Sequence, residues 1–271
     1  MKLEVIEFIP EKPVYPYPLL FVHGAFQGGW CWQEHFLPYF SKKGYKAYAV
    51  SLRGHGKSEG YERLLKARLG EYIEDVLQVM GTLKEKPVLV GHSMGGAIVQ
   101  KIAARHQEDI EAMVLMSPAP PDGMMKFGIV LPMMFSFSGI NKVYRLARFQ
   151  LGKMKSPESD VLFPISSLLS DQLPEQERLG YARRMQAESM KVKYDVARKI
   201  VADPREIKIP KLVIGAENDW FIPAGVVKRT AAAYGCRAVI IPGSGHEIQL
   251  DINWQIAADT IINFLSGTAA D

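Results

Sequence analysis

Short apolar runs of strand length alternate with longer segments of helical hydrophobic spacing along most of this chain. The strand-like runs are bounded by Gly, Pro or charged residues and lie at residues 19–23, 47–51, 88–91, 112–116, 211–215 and 237–241. Helical patterns lie between and after them at residues 32–42, 70–83, 95–106, 225–234 and 253–265. Wholly apolar strands that alternate with helices are typical of a parallel sheet covered on both faces. The sequence therefore predicts an α/β fold with right-handed crossover helices.

The alternation stops over residues 118–204, where Met, Phe, Pro, Ser and charged residues replace the strand pattern. Residues 141–150 and 175–200 have helical spacing. We expect one domain over 1–271, with a core at 1–117 and 205–271 and a helical cap inserted at 118–204, above the carboxyl edge of the sheet. The alternatives are a separate helical domain and a long surface excursion with no role in the site. One clear strand, near residues 3–9, precedes the strand at 19–23, which predicts a sheet short of one outer strand.

Composition narrows the class of protein. The 271 residues are 48% apolar and 23% charged, as in soluble globular proteins. The net charge of +4 is spread along the chain, which argues against a nucleic-acid partner. The start of the chain lacks the apolar core of a signal peptide, and residues 127–140 are too short for a membrane span. Cys31 and Cys236 form no CxxC pair, so we expect no disulfide framework and no zinc site, which fits a reducing compartment. We expect the protein to be a cytoplasmic monomer or homodimer.

The first candidate for chemistry is a serine between a strand and a helix. Residues 91–95, Gly-His-Ser-Met-Gly, fit the pattern GxSxG, with an apolar strand before them and a helical pattern after them. A tight turn of this kind leaves room only for glycine at positions 91 and 95. It would hold Ser93 in a strained backbone conformation with its hydroxyl at a helix N-terminus, which favours negative charge. This geometry suits a nucleophile, and an N-capping serine in a glycine-rich turn is the alternative.

In this motif and its setting the chain resembles the α/β-hydrolase family. A second stretch, FVHGAFQGGW at residues 21–30, is similar to the family's strand-end segment HGxxxGGW. The resemblance implies an oxyanion hole made by the backbone N–H groups of Ala25 and Met94, with Phe26 as a substitute for Ala25.

Two later stretches extend the resemblance. LVIGAENDWFIP, residues 212–223, is similar to the family's strand and loop that carry the acid, which implies Asp219, with Glu217 as its rival. IIPGSGHEIQLD, residues 240–251, is similar to the loop that carries the catalytic histidine, which implies His246. The order Ser93, Asp219, His246 is the one typical of this family. We expect four other histidines to have structural roles: His35, His55, His92 and His106. The side chain of His92 is expected to point away from the cleft.

The resemblance implies a serine hydrolase that cleaves a carboxylic ester of a small, largely apolar molecule through an acyl-serine, without a metal or an organic cofactor. Thioester, lactone or C–C cleavage and acyl transfer to an alcohol remain open, and so does a ligand receptor on the same scaffold. An aspartate nucleophile of the epoxide-hydrolase type is disfavoured, because Ser93 stands at that position. We expect the substrate to meet Phe26, Trp220, Met133 and Met134.

Overall fold

The computed structural model describes residues 1–125 and 168–268, and these form a sheet of seven strands in the order β1-β3-β2-β4-β5-β6-β7. The edge strand β1 pairs with β3 antiparallel, and every other neighbouring pair is parallel. The strands are β1 Val5–Phe8, β2 Leu19–Val22, β3 Ala47–Val50, β4 Val88–His92, β5 Ala112–Met116, β6 Lys211–Ala216 and β7 Ala238–Ile241. The predicted mostly parallel α/β sheet is confirmed, with strand ends within two residues of those expected.

Helices cover both faces of this sheet. Those of the described residues are α1 Trp30–Gln33, α2 Phe36–Lys42, α3 Leu69–Met80, α4 Met94–His106, α5 Glu175–Arg184, α6 Met190–Ala197, α7 Ala224–Ala233 and α8 Trp254–Thr268. Short 3-10 helices lie at Tyr61–Lys66, Gln107–Asp109, Pro204–Glu206 and Ile248–Leu250. None of the helices in these two described ranges is both long enough and apolar enough to cross a membrane.

The strands divide their side chains between two hydrophobic clusters, because successive residues of a strand point to opposite faces. Leu20, Leu89 and Val213 pack on one face against α3, α4 and α7. Phe21 and Val90 pack on the other face against α1, α2 and α8. This two-sided burial explains why the strands contain almost no polar residue. It also leaves the carboxyl ends of the parallel strands as the edge at which polar loops can gather.

Two segments with one continuous helical pattern are each divided into two helices. Residues 32–42 belong to α1 and α2, and residues 175–200 contain α5 and α6. The second division has a clear cause, because Glu188 is fully buried between the two helices and accepts hydrogen bonds from His55 Nε2 at 3.1 Å and from Tyr72 Oη at 2.7 Å. The chain must bend down to the core to make these contacts, and the Ser189 side chain then caps α6.

The chain segments at residues 121–125 and 197–201 lie side by side. The N–H groups of Ile200 and Val201 both donate to the carbonyl oxygen of Pro121, and the N–H of Met125 donates to the carbonyl oxygen of Ala197. Residues 126–167, including the helical pattern expected at 141–150, lie outside the described residues. The expected cap boundaries at 118 and 204 therefore stay a prediction.

Candidate active site

Ser93 occupies the turn between β4 and α4, with φ 52° and ψ −113°. Few residues adopt a positive φ, and such strained positions are concentrated at functional sites. The two flanking glycines are required by close approach of the backbone. A Cβ on Gly91 would lie 2.5 Å from the Gly95 carbonyl oxygen, and one on Gly95 would overlap the Val22 carbonyl oxygen and lie 2.6 Å from that of His23. The tightness expected from the GxSxG spacing is present.

We expect the substitution Gly95→Ala to lower the free energy of unfolding by about 1–3 kcal/mol, because the new methyl group meets backbone atoms that cannot rotate away. Gly180→Ala is the matched control, since a Cβ at that position in α5 meets nothing within 4 Å. The control should raise stability by about 0.5–1 kcal/mol through helix propensity. Urea denaturation of both variants measures the difference, and a Gly95→Ala protein as stable as the parent would contradict the close approach.

A chain of hydrogen bonds joins Ser93 to a histidine and a carboxylate from distant parts of the sequence. Ser93 Oγ lies 3.0 Å from His246 Nε2, and His246 Nδ1 lies 2.7 Å from Asp219 Oδ2. Donation from Nδ1 to the carboxylate leaves Nε2 free to accept the hydroxyl proton. All three side chains are buried, with Ser93 retaining 8% of its accessible surface. The structure thus brings together the three residues that the motifs singled out.

The loop after β6 explains why Asp219, and not Glu217, meets the histidine. Oδ1 of Asp219 accepts the backbone N–H groups of Phe221 at 2.8 Å and Ile222 at 2.7 Å, which leaves Oδ2 directed at His246. Glu217 is exposed, and its carboxylate accepts the N–H of Gly243 instead. The carboxylate of Asp219 is therefore held in one orientation by its own backbone.

The charges around His246 stabilise its protonated form. Burial alone would lower the pKa of His246, but the negative charge of Asp219 and its hydrogen bond to Nδ1 outweigh burial, and Glu247 adds to them. The pKa of His246 is therefore raised above its usual value. An imidazole in this setting becomes protonated more readily than a free imidazole.

His92 differs from its expected position, because its ring lies against His246 and contributes to the cavity wall. Its Nε2 donates to the His246 carbonyl oxygen at 2.9 Å, and the ring centroids are 4.8 Å apart. Burial, with the neighbouring His246, lowers the pKa of His92 well below its usual value, so the ring is neutral. The His92 ring has room at the cavity wall because Gly24 packs against it without a side chain. A Cβ on Gly24 would lie 2.8 Å from His92 Nδ1.

Hydrogen bonds hold the carbonyl group of the peptide between Gly24 and Ala25 and the N–H group of the peptide before it. His23 Nδ1 donates to the Gly24 carbonyl oxygen at 2.7 Å, and the Gly24 N–H donates to Gln27 Oε1 at 3.3 Å. Burial lowers the pKa of His23 to about 3, and its Nε2 accepts the N–H of Leu52, so the ring is neutral with its proton on Nδ1. In a planar trans peptide the C=O and the next N–H point in opposite directions. The Ala25 N–H is therefore turned away from His23.

Gln27 in turn is held by Glu247, the residue directly after His246. Its Nε2 donates to Glu247 Oε2 at 2.5 Å, and Gln249 Nε2 donates to the same oxygen at 2.8 Å. Burial raises the pKa of Glu247. The loop that carries Ala25 and the loop that carries His246 are thus joined by a buried side-chain bond.

Met94, the other residue expected to supply an N–H, is the first residue of α4. Backbone N–H groups in the first turn of a helix have no intrahelical acceptor, and the helix dipole adds a partial positive charge there. Ala25, Ser93 and Met94 all line one cavity. The arrangement places a candidate nucleophile and two candidate N–H donors around the same space.

This cavity has a volume of about 300 Å³ and a mostly apolar wall. Phe26 lines it, as expected, whereas Trp220 does not, and its neighbour Phe221 takes that place. Met133 and Met134, the other expected substrate contacts, lie outside the described residues. The lining residues are Ala25, Phe26, His92, Ser93, Met94, Ala119, Met124, Leu168, Val192, Lys193, Val196, Ala197, Phe221, Ile222, His246 and Glu247.

Three of the site's polar residues were missed by sequence reasoning. Gln27 stands inside the HGAFQGGW stretch and Glu247 follows His246, so both had a positional signal that was not used. Lys193 had none, because it is one of several lysines on a helical pattern.

A buried group of possible metal ligands coincides with this site. His92, His246 and Glu247 offer ligand atoms within 4.8 Å of one another. Both ring nitrogens of His246 already contact Ser93 and Asp219, so a cation at this position would compete with the hydrogen-bond chain.

Comparison with known proteins agrees with the fold and the motifs. Residues 19–255 match the Alpha/beta hydrolase family. The chain is 25% identical over 250 residues to the Monoacylglycerol lipase of Mycolicibacterium smegmatis, covering 86% of this chain and 82% of that protein. It is 23% identical over 249 residues to Epoxide hydrolase 3 of Xenopus tropicalis, covering 86% of this chain and 68% of that protein. The crystal structure of the enol-lactonase from Burkholderia xenovorans superposes with a TM-score of 0.71 at 23% identity over 97% of each chain. This protein is a hydrolase that belongs to the alpha/beta hydrolase family.

Proposed function

We propose that this hydrolase cleaves carboxylic esters of small molecules with an apolar acyl group, through an acyl-enzyme intermediate on Ser93. The observation that carries the proposal is the unbroken hydrogen-bond chain from Asp219 through His246 to Ser93, which opens onto an apolar cavity. The family alone includes several reaction types, so the site and not the fold supports this choice.

In the first half of the reaction, Ser93 Oγ attacks the ester carbonyl carbon while His246 Nε2 takes the hydroxyl proton. Asp219 holds the Nδ1–H and stabilises the imidazolium that results. The imidazolium then gives its proton to the departing alkoxide, and the C–O bond of the ester breaks. The raised pKa of His246 and the contact of its Nε2 with Ser93 Oγ at 3.0 Å both support the first of these transfers.

The oxyanion formed by this attack needs donors that are already in place. We propose the backbone N–H groups of Ala25 and Met94 for this role. The hydrogen bond that holds the Gly24 carbonyl oxygen and the place of Met94 at the start of α4 support the assignment. Loss of one such donor typically costs about 2.7–4 kcal/mol in transition-state stabilisation.

In the second half, a water molecule takes the place of the alcohol. His246 removes a proton from this water, the hydroxide attacks the acyl carbon, and Ser93 Oγ leaves with the proton returned by His246. The products are a carboxylic acid and the regenerated serine hydroxyl.

The volume and the apolar lining of the cavity favour a substrate with a compact apolar acyl chain. Phe26, Met124 and Phe221 supply deformable or aromatic contacts, and about 300 Å³ is at the lower end of small-molecule sites. Thioesters and lactones present a similar carbonyl carbon to Ser93. The enol-lactonase among the structural neighbours favours the inclusion of a lactone in any substrate survey.

The experiment that tests the proposal is a survey of 4-nitrophenyl esters of linear acids of increasing chain length, with a thioester and a lactone of matched size. We expect turnover of the esters with an optimum at short to medium chains, because the cavity limits the length that fits. Tight binding of these compounds without release of 4-nitrophenol would contradict the proposal and favour a receptor.

A further inference from the structure

A lysine from α6 lines the same cavity. Lys193 lies on α6, in one turn with the lining residues Val192 and Val196, and it is the only lysine or arginine among the described residues of the cavity wall. Its Nζ lies 4.2 Å from the centre of the Phe26 ring. A purely structural lysine would carry its ammonium group out to water, along a stem packed on apolar surface.

The helix that carries Lys193 and the loop that carries Phe26 are both anchored by hydrogen bonds. α6 begins after Ser189, which caps the helix and directly follows the buried Glu188. The Ser189 hydroxyl also donates to the Ala67 carbonyl oxygen. On the other side, the Phe26 carbonyl oxygen accepts the N–H of Gln186 at 2.8 Å. Because Phe26 follows Ala25 in the chain, this bond joins the segment that leads into α6 to the loop of the candidate oxyanion hole.

The side chain of Lys193 is half-buried. Burial lowers the pKa of Lys193 to about 8, with the charge of Glu188 opposing the shift. The side chain is therefore largely protonated at neutral pH while it is incompletely hydrated. A charged group in such a setting forms stronger ionic hydrogen bonds than one in bulk water.

We propose that Lys193 forms a binding subsite for a carboxylate, so that the preferred substrate is an ester whose far end carries a negative charge. Such a molecule places its reacting carbonyl at Ser93, its apolar middle along the cavity wall and its carboxylate at Nζ of Lys193. The substrate class thus becomes a hemiester of a dicarboxylic acid, or an ester with a comparable anionic end. This inference rests on the proposed ester hydrolysis and narrows it.

Paired substrates test the subsite. The first is a 4-nitrophenyl hemiester of a linear dicarboxylic acid, and the second is the 4-nitrophenyl ester of the monoacid of equal length. For the parent protein we expect a higher kcat/KM for the hemiester. In Lys193→Met the ratio of the two kcat/KM values should fall by about tenfold or more, as expected for loss of a charged hydrogen bond.

Two further variants separate charge from packing. Lys193→Arg should keep the hemiester as the better substrate, because it retains the positive charge. Lys191→Met is the matched control, since Lys191 is an exposed residue of the same helix and does not line the cavity. An unchanged ratio in Lys193→Met, or an equal fall for both esters, would overturn the subsite.

A binding measurement decides the question even if no ester is turned over. The probes are linear keto acids, with a methyl ketone at one end and a carboxylate at the other, and methyl ketones of the same length. Titration calorimetry with Ser93→Ala should show about tenfold tighter binding of the keto acid, and this advantage should disappear when Lys193→Met is added. Equal binding of the two probes would overturn the subsite, whereas absence of ester turnover with intact keto-acid selectivity would overturn only the proposed hydrolysis.

Discussion

Replacement of Ser93 by alanine is expected to reduce kcat for ester hydrolysis by about 10⁴- to 10⁶-fold, the range seen when the nucleophile of such a unit is removed. The reason is that His246 has no other hydroxyl within hydrogen-bond distance among the described contacts, so the acyl-enzyme cannot form. The measurement is steady-state release of 4-nitrophenol. The fraction of active sites is determined with the parent protein and applied to the variant.

Ser266→Ala serves as the control for this substitution. Ser266 is an exposed residue of α8, and its hydroxyl donates to the Ile262 carbonyl oxygen of its own helix. We expect the control to retain the parent kcat. A Ser93→Ala protein with more than about a tenth of the parent kcat, far above the residual activity such deletions leave, would show that another group attacks the substrate.

Asp219→Asn should reduce kcat by about 10⁴-fold while leaving the fold intact. An amide at this position still accepts the N–H groups of Phe221 and Ile222, but it no longer carries the charge that stabilises protonated His246. Glu217→Gln is the matched control, because it removes the neighbouring carboxylate, which is exposed and bonded to Gly243. Equal losses in the two variants would contradict the assignment of Asp219.

The pH dependence of the same variants gives a second readout. Ser93 is activated only by neutral His246, so kcat/KM falls as the pH drops through the pKa of His246. Because that pKa is raised, the midpoint of the acid limb in the parent should lie above the ordinary histidine value of about 6.5. Asp219→Asn removes the main causes that raise it, and its midpoint should move to lower pH. A midpoint that stays in place would contradict the electrostatic role of Asp219.

The sheet could be predicted almost completely because burial on both faces leaves an unmistakable apolar pattern. The strand at 112–116 and the helix at 95–106 agree with the structure to within one residue. The division of 175–200 into α5 and α6 could not be predicted, since it depends on Glu188 meeting His55 and Tyr72, which are more than a hundred residues away in the chain. Helical spacing records the faces of a helix and not the long-range contacts that end it.

The candidate site was predictable where one local stretch determines the geometry. Gly91 and Gly95 show how tightly the turn around Ser93 must close, and the loops of Asp219 and His246 follow strands that end at the same sheet edge. Residues that act through packing were not predictable. His92 remains in the site because Gly24 has no side chain, and Lys193 reaches the cavity because α6 lies across Phe26. Neither contact leaves a periodic or motif signal.

The most direct test of the proposed acyl-serine chemistry is to locate the covalent adduct left by diethyl 4-nitrophenyl phosphate, which phosphorylates an activated serine and releases 4-nitrophenol. Mass spectrometry of the digested protein should place one diethyl phosphate group on Ser93, and modification should slow in step with kcat in Asp219→Asn. An unmodified Ser93 after complete exposure, or a label on another residue, would contradict the claim that His246 and Asp219 activate this hydroxyl.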